Sequence, residues 1–162
     1  MATDLFLKQL LTLPTVLSAY LSPDGRWMAF NWYCLHENID VFLVPVDGSA
    51  APLALTHTPE ATYFVRWTPD SQVVIVEEDH DSDEHARLFQ VDIDRPGEMQ
   101  PLSDCRPPDF MHGGDLHPDG QALIYGAYYD FTMGKVIDPT WVYRQNLRTG
   151  TRIPIARPEK PT

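Results

Sequence analysis

Leu21-Ser-Pro-Asp-Gly-Arg-Trp-Met-Ala-Phe30 decides the fold, because the chain repeats its pattern twice more. The second copy is Trp67-Thr-Pro-Asp-Ser-Gln-Val-Val-Ile-Val76 and the third is Leu116-His-Pro-Asp-Gly-Gln-Ala-Leu-Ile-Tyr125. In each, proline presets φ at the first corner of a tight turn and aspartate tolerates the second. Glycine then supplies the left-handed position that closes a hairpin. Ser71 stands where the other copies carry Gly25 and Gly120, so the middle turn is expected to be strained or differently closed. An apolar, β-rich run follows every turn. The prolines, at 23, 69 and 118, recur at intervals of 46 and 49 residues. A period of that length, filled with short strands, belongs to β-propeller blades.

Working outward, each period reads as four strands. The first period gives Ser18–Leu21, Trp27–Tyr33, Val41–Val46 and Pro52–Leu55. The second gives Tyr63–Trp67, Val73–Glu78, Arg87–Asp92 and Met99–Leu102. The third gives Met111–Leu116, Ala122–Ala127, Trp141–Asn146 and Arg152–Ile155. Four antiparallel strands make one blade. The expected fold is therefore all-β, a partial β-propeller of three blades over residues 15–57, 58–104 and 105–157. A short amphipathic helix is expected within residues 1–14, stopped by Pro14, and residues 158–162 read as a solvated tail. Val73-Val-Ile-Val76 is apolar without alternation, as suits a strand packed on both faces. Tyr128-Tyr-Asp-Phe131 is read as the start of a long loop running to Pro139, its aromatics serving packing.

Composition narrows the function. Fifteen prolines and nine glycines disfavour a helical bundle. Twelve basic against 23 acidic residues give a net charge of −11, which repels phosphate backbones and argues against nucleic acid as a partner. No apolar stretch approaches bilayer-spanning length, and Asp4 and Lys8 interrupt the start as no secretory signal does. Cys34 and Cys105 form neither a disulfide framework nor a zinc spacing. The expectation is a cytoplasmic protein that contacts no membrane.

Leu11-Thr-Leu-Pro-Thr-Val-Leu-Ser-Ala-Tyr-Leu-Ser-Pro-Asp-Gly25 followed by Trp27-Met-Ala-Phe30 resembles the opening of prolyl-oligopeptidase-family serine peptidases, the acylaminoacyl-peptidase-like branch above all. Glu78-Asp-His-Asp-Ser-Asp-Glu-His-Ala-Arg-Leu-Phe-Gln-Val-Asp92 is similar to that family's acidic loop, with Ser82 where the family often has glycine. The resemblance implies a propeller that screens peptide substrates for a C-terminal α/β-hydrolase domain. The same Ser-Pro-Asp-Gly turn also occurs in TolB-like propellers without peptidase activity. This chain departs from the peptidases at the decisive point. A nucleophile elbow needs Gly-x-Ser-x-Gly, and none of Ser18, Ser22, Ser49, Ser71, Ser82 or Ser103 has that context. No catalytic residue is expected. Two functions are left open: the non-catalytic propeller portion of such a hydrolase, or a stand-alone TolB-like binding or assembly module.

No cofactor-binding or metal-ligating residue is expected either. Asp79, Asp81 and Asp83 alternate as calcium ligands do, yet the glycine and terminal glutamate of an EF-hand loop are missing, so Glu77–His85 reads as a solvated loop braced by Glu84. His36, His57, His80, His85, His112 and His117 are scattered among loops and turns. His117 occupies the turn position of Ser22 and Thr68, a structural place, and His112-Gly-Gly-Asp115 lies where an inner strand would line the central channel. Three blades leave both end sheets uncovered, so the expected partners are further blades, the hydrolase domain, or a second copy through self-association.

Overall fold

The computed structural model describes residues 13–33, 38–81, 87–102 and 111–158, without the side chains of residues 111–114. The expected helix over 1–14 and the tail therefore lie almost wholly outside the described residues, as do Cys34, Cys105, His36 and the acidic-loop residues Asp83, Glu84 and His85.

Twelve strands are described: β1 (Thr15–Leu21), β2 (Trp27–Tyr33), β3 (Asp40–Pro45), β4 (Leu53–Ala54), β5 (Thr62–Trp67), β6 (Val73–Glu78), β7 (Arg87–Asp92), β8 (Met99–Pro101), β9 (Met111–Leu116), β10 (Ala122–Asp130), β11 (Lys135–Asn146) and β12 (Arg152–Ala156). They form three antiparallel four-stranded sheets, β1 to β4, β5 to β8 and β9 to β12, each ordered as in the chain. Among the described residues no helix is long and apolar enough to cross a membrane.

The loop expected from Tyr128 to Pro139 is a hairpin instead. β10 continues to Asp130 and β11 restarts at Lys135, so only Phe131–Gly134 turn. Asp130 closes that turn: its Oδ1 accepts the amides of Thr132 (2.9 Å) and Met133 (3.1 Å), and its carbonyl accepts that of Gly134 (2.8 Å). Pro139 is absorbed where the register jumps from Ala127↔Trp141 to Tyr129↔Val136, since a bulged segment need not donate to the ladder. The aromatics pack as expected. The Phe131 ring meets Tyr143 at 4.9 Å and Tyr129 at 5.2 Å, with the Arg152 guanidinium 4.4 Å above it.

The core lies between sheets. Ala29, Val41, Leu43 and Leu55 of the first sheet pack against Trp67, Val74, Val76 and Val91 of the second. On the other side Ile75 and Leu88 meet Leu123, Tyr125, Ala127 and Tyr143 of the third. Strand alternation sends Val74 and Val76 one way and Ile75 the other, which is why β6 is apolar throughout.

Polar clamps bridge the same interfaces. Asn31, buried in β2, donates from Nδ2 to the Thr62 carbonyl (2.9 Å), while its Oδ1 accepts the Phe64 amide (3.0 Å) and the Ser18 hydroxyl (3.1 Å). Gln145 holds the second and third sheets through Nε2 to the Leu102 carbonyl (2.6 Å), and its Oε1 accepts from Tyr125 and Arg152. Buried amides satisfied this way fix the relative placement of sheets that apolar packing alone leaves free to slide.

The three repeated turns superpose in chemistry. Gly25, Ser71 and Gly120 take φ of 73°, 62° and 69°. The aspartate before each caps the turn, Oδ1 accepting the amides of Arg26 (3.0 Å), Gln72 (3.1 Å) and Gln121 (2.9 Å). Ser71 thus closes its turn like a glycine and bears the strain. Its hydroxyl also accepts the Asp24 amide of the neighbouring turn at 3.1 Å, a bond glycine cannot make.

Candidate functional site

The innermost strands β1, β5 and β9 each pair on one side only within their sheets. Every one is bulged against its neighbour: the registers shift between Val16 and Ser18, between Phe64 and Arg66, and between Ile124 and Gly126 opposite β9. Bulges add local twist and re-aim side chains. The three strands border a concave groove of about 500 Å³ lined by Tyr20, Phe64, Arg66, Trp67, Leu116 and His117 together with the three turn prolines Pro23, Pro69 and Pro118.

The wall is aromatic. Tyr20 stacks on Phe64 with ring centroids 4.3 Å apart and planes 13° from parallel, and Trp67 donates its indole N–H to the Tyr20 carbonyl at 3.1 Å. This stack joins the first two blades, yet Tyr20 keeps 45% of its surface exposed and Leu21 beside it 53%. Charge enters through Arg66, whose Nε lies 2.7 Å from Asp115 Oδ1, both side chains half or more exposed. That ion pair spans the inner strands of the second and third blades. Neither residue drew notice in the sequence as a pair, because 49 positions separate them and only the blade stacking makes them neighbours.

His117 Nδ1 sits 3.0 Å from Asp119 Oδ1 within its own turn, and the residue also lines the groove. Hydrogen bonding holds the turn carboxyls below the usual carboxylate range. The Ser22 hydroxyl does most for Asp24, the Thr68 hydroxyl for Asp70, and the Gln121 amide for Asp119. Ser18 and Ser22 spend their hydroxyls on Asn31 and Asp24, so neither is poised as a nucleophile. His112 falls on β9, its side chain outside the described residues.

A second cluster lies past the open end of the β5–β6 hairpin. His80 Nδ1 is 3.2 Å from Glu60 Oε1 and its Nε2 is 3.5 Å from Asp81 Oδ2. Glu60 was missed because it stands 20 residues ahead of His80, in a connection with no motif.

No family model matches the chain, and no curated protein matches it by sequence. Solved structures do match. A protein assigned as TolB from Agrobacterium tumefaciens aligns at 21% identity over 85% of this chain and 45% of its own, with a TM-score of 0.64. The fold is a TolB-like β-propeller. TolB from Acinetobacter baumannii aligns at 19% identity over 85% of this chain and 31% of its own, TM-score 0.62. The AtxE2 isopeptidase in its apo form aligns at 15% over 94% and 33%, TM-score 0.63. The TolB-like propeller described here thus spans less than half the length of each of these proteins.

Proposed function

We propose that this TolB-like propeller is a non-catalytic recognition unit whose axial groove receives extended peptide, serving a larger prolyl-oligopeptidase-like serine hydrolase. The observation that carries the reading is the groove itself. The partly exposed Tyr20 and Phe64 rings, beside strands β1, β5 and β9 that each pair on one side only, suit a peptide, whose backbone bonds to an open edge while its side chains rest on apolar rings. The Arg66–Asp115 pair supplies both signs of charge for a peptide's ends or side chains. The blades position substrate and the hydrolase domain supplies the chemistry.

The second reading, a stand-alone TolB-like module for binding or assembly, is favoured by the two TolB likenesses. Both readings place further blades against the open ends of the arc. The face of the third sheet turned away from the second carries Ile124, Val142 and the half-exposed Ile153, with Arg144 between Ile124 and Ile153 in the ladder, a mixed face suited to another blade of a longer chain or of a second copy.

A library of short peptides carrying a photoreactive benzophenone tests the groove. Cross-links should map to β1, β5 and β9, and Phe64→Ala should cut labelling by about tenfold, as loss of a buried aromatic anchor does. Cross-links confined to other surfaces would refute the groove. Continuation of the coding sequence into Gly-x-Ser-x-Gly with later Asp and His decides for the hydrolase, and continuation into blades alone decides for the binding module.

A further inference from the structure

We propose that Glu60, His80 and Asp81 form a site for a divalent transition-metal cation of the zinc class, independent of the peptide groove. Each residue offers one ligand atom, and these atoms lie within 4.8 Å of one another. Two chain segments contribute: Glu60 from the connection between β4 and β5, His80 and Asp81 from the stretch leaving β6. The segments are tied together independently of any ion. Glu78 Oε2 accepts the hydroxyls of Thr58 (2.7 Å) and Thr62 (3.0 Å).

Glu60 is preorganised. Its side chain is only 17% exposed, and its Oε2 accepts the Asp81 amide at 3.1 Å, which leaves Oε1 directed to His80. Hydrogen bonds of this kind hold the ligands of metal sites in place. The His80 ring lies between the two carboxylates, its Nδ1 3.2 Å from Glu60 Oε1 and its Nε2 3.5 Å from Asp81 Oδ2. One nitrogen and two carboxylate donors suit zinc and its neighbours, which take three protein ligands with water in the remaining position, better than calcium or magnesium with their all-oxygen shells. Asp81 is 87% exposed, so the open side faces solvent. Glu77, Glu78 and Asp79 add negative charge beside the site, with Arg87 opposite Glu78 in the ladder as the counterweight.

Zinc chloride titrated into the intact chain by calorimetry, with calcium and magnesium as separate arms, tests the proposal. One zinc ion per chain is expected to bind at micromolar concentration, raise Tm by several degrees at saturation and shift the His80 ring protons in NMR spectra. Binding should weaken by about tenfold or more in Glu60→Gln and His80→Asn, at least the cost of losing a supporting residue in known sites. His57→Gln should leave it unchanged. Asp81→Asn, at an exposed position, gives a further variant should Glu60→Gln fail to fold. Absence of saturable zinc binding, zinc binding indifferent to all three substitutions, or calcium binding as tight as zinc would each overturn the proposal.

Discussion

Ser71 invites the sharpest test of how the blades hold each other. It is 1% exposed, adopts φ of 62° and accepts the Asp24 amide of the adjacent turn at 3.1 Å. Two opposing effects meet on one residue. A left-handed conformation costs a residue with a Cβ about 1 kcal/mol relative to glycine. A buried hydrogen bond returns about 1 kcal/mol, and an amide left unpaired costs about 1–3 kcal/mol. Ser71→Ala keeps the strain and loses the bond, so it should destabilise by about 1–3 kcal/mol, a Tm fall of about 2–4 °C per kcal/mol at this chain length. Ser71→Gly loses the bond and also the strain, and should therefore be more stable than Ser71→Ala by about 1 kcal/mol. Urea denaturation followed by tryptophan fluorescence measures both, with Trp67 in the affected interface. If alanine matches wild type, or glycine falls below alanine, the reasoning from φ and the inter-blade bond is wrong.

Three other outcomes are expected. Asn31→Ala should cost about 2–4 kcal/mol in the same assay, because it orphans the Thr62 carbonyl and the Phe64 amide at a buried interface; a cost below that of Ser71→Ala would deny Asn31 its clamp role. Gly120→Ala should destabilise more than Gly25→Ala: both take positive φ, but a Cβ at 120 meets Pro69 Cδ at 3.1 Å whereas one at 25 meets nothing within 4 Å. In acid, Asp24, Asp70 and Asp119 have lowered folded-state pKa values, so their contribution is whole above the unfolded pKa of about 3.8 and is lost as pH falls through the folded values. Glu77 runs the other way, its carboxyl pushed up by burial, so its contribution is lost as pH rises through its folded value. Tm between pH 2 and pH 6 should accordingly show a shallower acid limb when the three aspartates become asparagine, and an unaltered limb would place the acid sensitivity elsewhere.

The repeated Pro-Asp turn and the apolar runs after it determined, in the sequence alone, three four-stranded sheets and most of their strand limits. Turn chemistry and strand alternation are local, so they survive reading along the chain. Ser71 could be recognised as strained for the same reason. Its bond to Asp24 could not, because that partner stands 47 positions away and is brought near only by stacking one blade on the next. Only the stretch from Tyr128 to Pro139, between two strands the sequence does reveal, reads as a loop where the structure has a hairpin, because Asp130, Gly134 and Pro139 look like breakers. Asp130 and Gly134 in fact close one tight turn, and a bulge absorbs the proline. Arg66 with Asp115 and Asn31 with Phe64 are likewise pairings of distant positions on different sheets. Side chains acquire such partners from the stacking of whole sheets, and no spacing along one strand encodes which residue of the next blade will face them.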